Sequence, residues 1–73
     1  MKTLVITGGS NGIGRAAAKK FSAEGYRVFE LSRHGKDEDG IVHITADVSD
    51  ERSVKSAFKE ISEQTDKIDV LIC

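Results

Sequence analysis

Residues 7 to 14 of this 73-residue chain read Thr-Gly-Gly-Ser-Asn-Gly-Ile-Gly, between the apolar run Leu4-Val5-Ile6 and a stretch of helical spacing that begins near Arg15. Glycine lets a backbone turn sharply and lie bare against another group. With Gly8, Gly12 and Gly14 spread across a strand-to-helix junction, the chain can approach an anion while the free N–H groups of the helix start aim at it. The spacing predicts a phosphate cradle, and a glycine-rich turn without a ligand is the competing reading. A P-loop does not fit. Counted from Gly9 its frame reaches Gly14, but Arg15 and Ala16 then stand where a lysine and a hydroxyl are needed. The run Gly12-Ile13-Gly14-Arg15-Ala16-Ala17 matches the looser dinucleotide pattern, yet Gly12 lies too far past the strand to make the tight turn, which suits Gly8 better.

The chain beyond the cradle alternates between strand and helix signals, with no proline to interrupt either. Thr3 to Thr7 is a continuous apolar run of the kind that fills a parallel strand covered on both faces. In the helix that follows, Ile13, Ala16, Ala17 and Phe21 share one face and Arg15, Lys19 and Lys20 the other, with Gly25 placed as a left-handed cap. Tyr26 reads as a packing residue behind that cap. Arg27 to Ser32 is a second strand, with Glu30 inside it, and Gly35 to Gly40 is a polar loop with no apolar stripe to bury. Ile41 to Ala46 is a third strand. Ser49 or Asp50 then caps a helix whose Val54, Ala57, Phe58 and Ile61 recur at i, i+3, i+4 and i+7. Val70-Leu71-Ile72 forms a fourth strand, and Cys73 at its end reads as a small buried hydrophobe.

A chain of 73 residues is at most one small domain, burying only about 60% of its unfolded surface. Its formal charge of −1 is mixed along the sequence, which leaves no basic stripe for nucleic acid and no cationic amphipathic face for a membrane. One cysteine cannot form an internal disulfide and fits a reducing, cytoplasmic setting, as does the absence of a signal-like segment after Met1. No cluster of histidine, cysteine or carboxylate suggests a metal site.

The fingerprint Thr7-Gly8-x-x-x-Gly12-x-Gly14 resembles the short-chain dehydrogenase/reductase family, whose members bind NAD or NADP there. The resemblance covers essentially the whole chain but only the amino-terminal, cofactor-binding part of a family domain. Together with right-handed crossovers, it implies an α/β Rossmann-type parallel sheet of strand order 3-2-1-4 with a helix on each face. Residues 1–73 would then be a partial domain that stops after its fourth strand and leaves that strand's outer edge bare. An oligomer or a carboxyl-terminal partner would cover such an edge.

The candidate cofactor-binding set begins with the cradle itself: Gly8, Ser10, Asn11, Gly12, Ile13 and Gly14. At the end of the second strand, where NAD-binding folds place an acid on the ribose hydroxyls, this chain has Ser32 and Arg33. A guanidinium can hold a 2′-phosphate that a carboxylate would repel, so the pair argues for NADP over NAD. Family resemblance points the same way, with Ser10 able to assist. Many NADP-preferring members carry a second basic residue where Asn11 stands, and an ordinary solvated arginine is the other reading of Arg33. Asp47 and Val48, after the third strand, resemble the family's adenine contacts, although an aspartate there is also a common turn former or helix cap. His34 reads as a loop residue.

By resemblance, the intact protein would transfer hydride between NADP(H) and a carbonyl or alcohol substrate. The family's catalytic pattern, a tyrosine four residues before a lysine with a serine upstream, cannot be placed, since Tyr26 is followed four residues on by Glu30. The expected catalytic set within residues 1–73 is therefore empty, and a non-catalytic dinucleotide-binding module is the alternative reading.

Overall fold

The computed structural model describes residues 1–9, 12–38 and 40–73. The elements run β1 (Thr3–Thr7), α1 (Gly12–Ala23), β2 (Arg27–Ser32), β3 (Ile41–Thr45), α2 (Glu51–Ser62) and β4 (Val70–Ile72). The pairings among these four strands are parallel and the strand order is β3-β2-β1-β4, as the resemblance and right-handed crossovers together imply. β1 is central, with Val5 level with Phe29 on one side and Leu71 on the other.

Alternation along the strands sends side chains to two separate cores. Val5, Phe29, Leu31 and Ile44 pack with Ala57 and Ile61 of α2. Leu4, Ile6, Val28 and Ile41 pack with Ala18 of α1, flanked by Ala17, Phe21 and Tyr26. The sheet is thus covered by one helix on each face, which is why β1 and β2 carry buried apolar residues on both sides.

Each helix is closed by local chemistry. At the end of α1 the Tyr26 N–H donates to the Phe21 carbonyl (3.0 Å) and the Gly25 N–H to the Ser22 carbonyl (3.0 Å), with Gly25 at φ +95°. This is a Schellman cap, and its usual apolar contact is supplied by the Phe21 and Tyr26 rings, edge to face at 4.9 Å. For α2 the cap is Asp50, whose Oδ1 accepts from the Arg52 N–H at 3.0 Å, while Ser49 turns back to Asp47.

Several sequence expectations are corrected. α1 begins at Gly12, three residues before Arg15. Its inner stripe is Gly14, Ala18 and Phe21, flanked by Ala17, so Ile13 is 90% exposed and Ala16 is exposed as well. The rotation is set at Gly14, whose Cα faces the Gly8 carbonyl. A step of about 100° per residue then carries Ile13 off the buried face and Ala16 to the opposite side. β3 ends at Thr45 rather than Ala46, although Ala46 is buried and its N–H still donates to the Ser32 carbonyl at 2.9 Å. Cys73 is exposed, because it follows the last paired residue of an edge strand.

β4 is tied to β1 by Asp69, whose N–H donates to the Thr3 carbonyl (2.9 Å) and whose Oδ2 accepts from the Thr3 N–H (2.8 Å). That second bond holds the Asp69 carboxyl below its ordinary pKa. A depressed folded-state pKa adds stability above the unfolded value of about 3.9, and this stability is lost as pH falls through the folded value. The urea midpoint is therefore expected to hold from neutrality to about pH 5 and to drop as the solution is acidified further. Asp69→Asn should flatten that acid limb, and an identical limb in the variant would show that Asp69 does not contribute to it.

Candidate functional site

The carboxyl ends of β1, β2 and β3 converge on one cavity of about 330 Å³, lined by Gly8, Ser32, Arg33, Asp47, Val48 and Ser49, with Leu31 and Ala46 at its floor. Ligands of open α/β sheets bind at this end of the strands. A larger cavity of about 640 Å³ lies at the opposite end, around Met1, Tyr26, Arg27 and Ile41, and holds none of the candidate residues.

The cradle is built around close backbone approach. Gly8 and Gly12 have φ of +71° and +61°, with open space where a side chain would be. Gly14 is hemmed in. A Cβ there would lie 2.5 Å from the Gly8 carbonyl oxygen and 3.1 Å from the Gly9 Cα, so glycine is what allows α1 to start directly against the β1 turn. The Gly8 N–H is held by the Leu31 carbonyl at 3.0 Å, which locks the turn to β2. Ser10 and Asn11 lie outside the described residues. Ile13 sits exposed on the first turn of α1.

The second group lies across the cavity. Ser32 ends β2, and its Oγ is buried with no hydrogen-bond partner among the described residues. An orphaned buried hydroxyl is costly unless something completes it, and a sugar or phosphate oxygen is a suitable complement. Arg33 follows, exposed at the cavity wall. Asp47 accepts from both the Ser49 hydroxyl (2.6 Å) and the Ser49 N–H (3.0 Å). Those two bonds, with a further contribution from the Arg33 charge, hold its carboxyl below the ordinary value. Val48 is 59% exposed beside it, an apolar surface open to a flat ring. The structure thus brings Gly8, Ser32, Arg33, Asp47 and Val48 to one mouth, while Gly12, Ile13 and Gly14 lie outside its lining. Glycines that leave room for phosphate, an unsatisfied hydroxyl, a guanidinium and an apolar shelf fit an adenine dinucleotide.

The chain as a whole is similar to known proteins. The model of the short chain dehydrogenase family fits residues 2–73. The chain belongs to that family. It is 34% identical over 71 residues to the 3-oxoacyl-[acyl-carrier-protein] reductase MabA of Mycobacterium avium, covering 97% of this chain and 28% of the reductase. A C-terminal deletion mutant of the Thermoplasma acidophilum aldohexose dehydrogenase superposes with a TM-score of 0.89 at 40% identity, over 96% of this chain and 30% of that one. The 3-ketoacyl-(acyl-carrier-protein) reductase of Brucella melitensis, solved in complex with NADH, superposes with a TM-score of 0.85 at 28% identity, over 96% and 32%. The chain therefore spans about a third or less of the length of these short-chain dehydrogenases.

Two features of this family member were not singled out from its sequence as site elements. Arg15 of α1 forms an ion pair with Glu38 in the β2–β3 loop, with Lys19 Nζ 3.7 Å from the same carboxylate. Beneath the cradle, Glu30 is only 2% exposed, and its Oε1 lies 2.7 Å from His43 Nδ1. As expected, Glu30 lies inside β2, and its side chain is buried there. Its partner could not be found locally, because Glu30 and His43 meet only through the β2–β3 register. Among the described residues no group of three or more potential ligands could hold a metal, and no helix is long and apolar enough to cross a membrane.

Proposed function

We propose that residues 1–73 are the NADP(H)-binding portion of a cytoplasmic short-chain oxidoreductase that interconverts a carbonyl and an alcohol. Bound nicotinamide would supply or accept the hydride. The backbone at Gly8, Gly12 and Gly14 would cradle the pyrophosphate, with the start of α1 adding N–H groups, while Ser10, Asn11 and Ile13 complete the loop. Ser32 and Arg33 would take the 2′-phosphate, and Asp47 and Val48 the adenine. The observation that carries the reading is the end of β2, where an orphaned hydroxyl and an exposed guanidinium stand in place of the acid that pairs with ribose hydroxyls.

The remainder of a family domain, or a partner, would cover β4. Leu71 is 54% exposed on that edge strand, and it borders an apolar hollow shared with Leu31, Val48, Val54 and Phe58.

Arg33→Ala tests cofactor choice in the intact protein. A charge-assisted hydrogen bond at a solvated rim contributes about 1.5 kcal/mol, so NADPH affinity should fall by roughly tenfold. NADH affinity should stay the same, because NADH has no 2′-phosphate. Calorimetric titration of both cofactors measures the ratio directly. Equal losses would mean that Arg33 supports the loop without reading the phosphate.

A further inference from the structure

Beneath the cradle a short polar chain runs from the core to the surface. Glu30 Oε1 meets His43 Nδ1 at 2.7 Å, and His43 Nε2 meets the hydroxyl of exposed Thr45 at 2.9 Å. The glutamate side chain is 3% exposed and the imidazole 9%, and Glu30 Oε2 is buried with no partner among the described residues. Such a pair is an expensive way to fill a core, since apolar side chains of similar volume are often as stable or more so.

What rests on the pair explains its shape. A Cβ on Gly9 would lie 2.9 Å from Glu30 Cγ, so the cradle loop sits directly on the glutamate. A Cβ on Gly35 would lie 2.7 Å from His43 Nδ1 and 2.9 Å from Glu30 Oε1, so the loop carrying Arg33 sits on the hydrogen bond itself. The His43 N–H also donates to Asp37 Oδ1 at 2.8 Å, fastening that loop a second time. The two loops assigned to pyrophosphate and 2′-phosphate therefore share one support, and polar recognition tolerates displacements of only about 0.5 Å.

We propose that Glu30 and His43 are positioning residues that set the spacing between the glycine loop and the Arg33 loop, and through it the preference for a 2′-phosphate over a bare 2′-hydroxyl. The inference rests on the NADP reading above. Neither side chain touches the cofactor. Glu30 fixes the imidazole, and the imidazole and carboxylate together fix how closely the Gly35 backbone descends.

The test is the ratio of NADPH to NADH affinity, titrated in the intact protein at one pH and salt concentration. Glu30→Leu/His43→Leu removes both polar partners at once and leaves no unpaired buried charge, so it should fold. Its ratio should fall by about threefold to tenfold, the upper figure being the full loss assigned to Arg33. Glu30→Gln keeps an acceptor for His43 and should hold the ratio within about twofold. Gly35→Ala, on an exposed loop outside the core, lifts the same loop off the pair and should lower the ratio in the same direction even if the double variant does not fold. An unchanged ratio in Gly35→Ala or in a folded double variant, with wild type still preferring NADPH, overturns this inference alone. A wild type without that preference overturns the NADP reading and this inference together.

Discussion

Gly14→Ala is expected to weaken dinucleotide binding by at least about a hundredfold, for NADPH and NADH alike. The added Cβ would lie 2.5 Å from the Gly8 carbonyl oxygen, and the next atoms it meets are also backbone, in Gly8 and Gly9. No flexible side chain is available to swing away, so α1 and the β1 turn must separate. That separation disrupts the surface that would receive the pyrophosphate and tilts the helix start away from it. Losing two charge-assisted hydrogen bonds at about 1.5 kcal/mol each amounts to roughly two decades in Kd. Equal losses for both cofactors would distinguish this effect from that of Arg33→Ala, which is expected to act on NADPH alone. Circular dichroism should show the strands and helices retained. Cofactor binding within tenfold of wild type would mean that the phosphate does not lie in this cradle.

Local chemistry makes much of this arrangement legible in the sequence. The bounds of β1 and β2, the buried face of α2 and the Gly25 cap all follow from periodicity or from the conformational freedom of a single residue within a few positions. The strand order needed more, namely crossover handedness and the family resemblance carried by the fingerprint. The rotation of α1 is not legible in apolar spacing, which alone makes the exposed Ile13 and Ala16 inward candidates. The close approach of Gly14 to the Gly8 carbonyl across the β1–α1 junction decides which way the helix turns. Glu30 and His43 were invisible as a pair for a similar reason. They are thirteen residues apart and adjacent only once β2 and β3 are in register.

Phe29→Ala is expected to destabilise an isolated 73-residue domain by about 3–5 kcal/mol. Phe29 is fully buried on the central strand pair, level with Val5, and belongs to the core under α2. Removing a buried phenyl ring costs about 3–5 kcal/mol when the surroundings relax only in part. At 0.05–0.15 kcal/mol per residue, a chain of 73 residues has roughly 4–11 kcal/mol in total. The substitution therefore takes away most of the stability at the lower end of that range. It also removes the ring beneath the Arg27 guanidinium, 5.7 Å from its centroid, a contact that fastens the start of β2. Phe29→Leu keeps most of the volume and should cost much less, so the pair of variants separates cavity formation from any special need for an aromatic ring. Urea titrations followed by circular dichroism measure both. A midpoint for Phe29→Ala within 0.5 M of wild type, at a typical slope of about 1–2 kcal/mol per molar, would mean that this core is not what holds the sheet to α2.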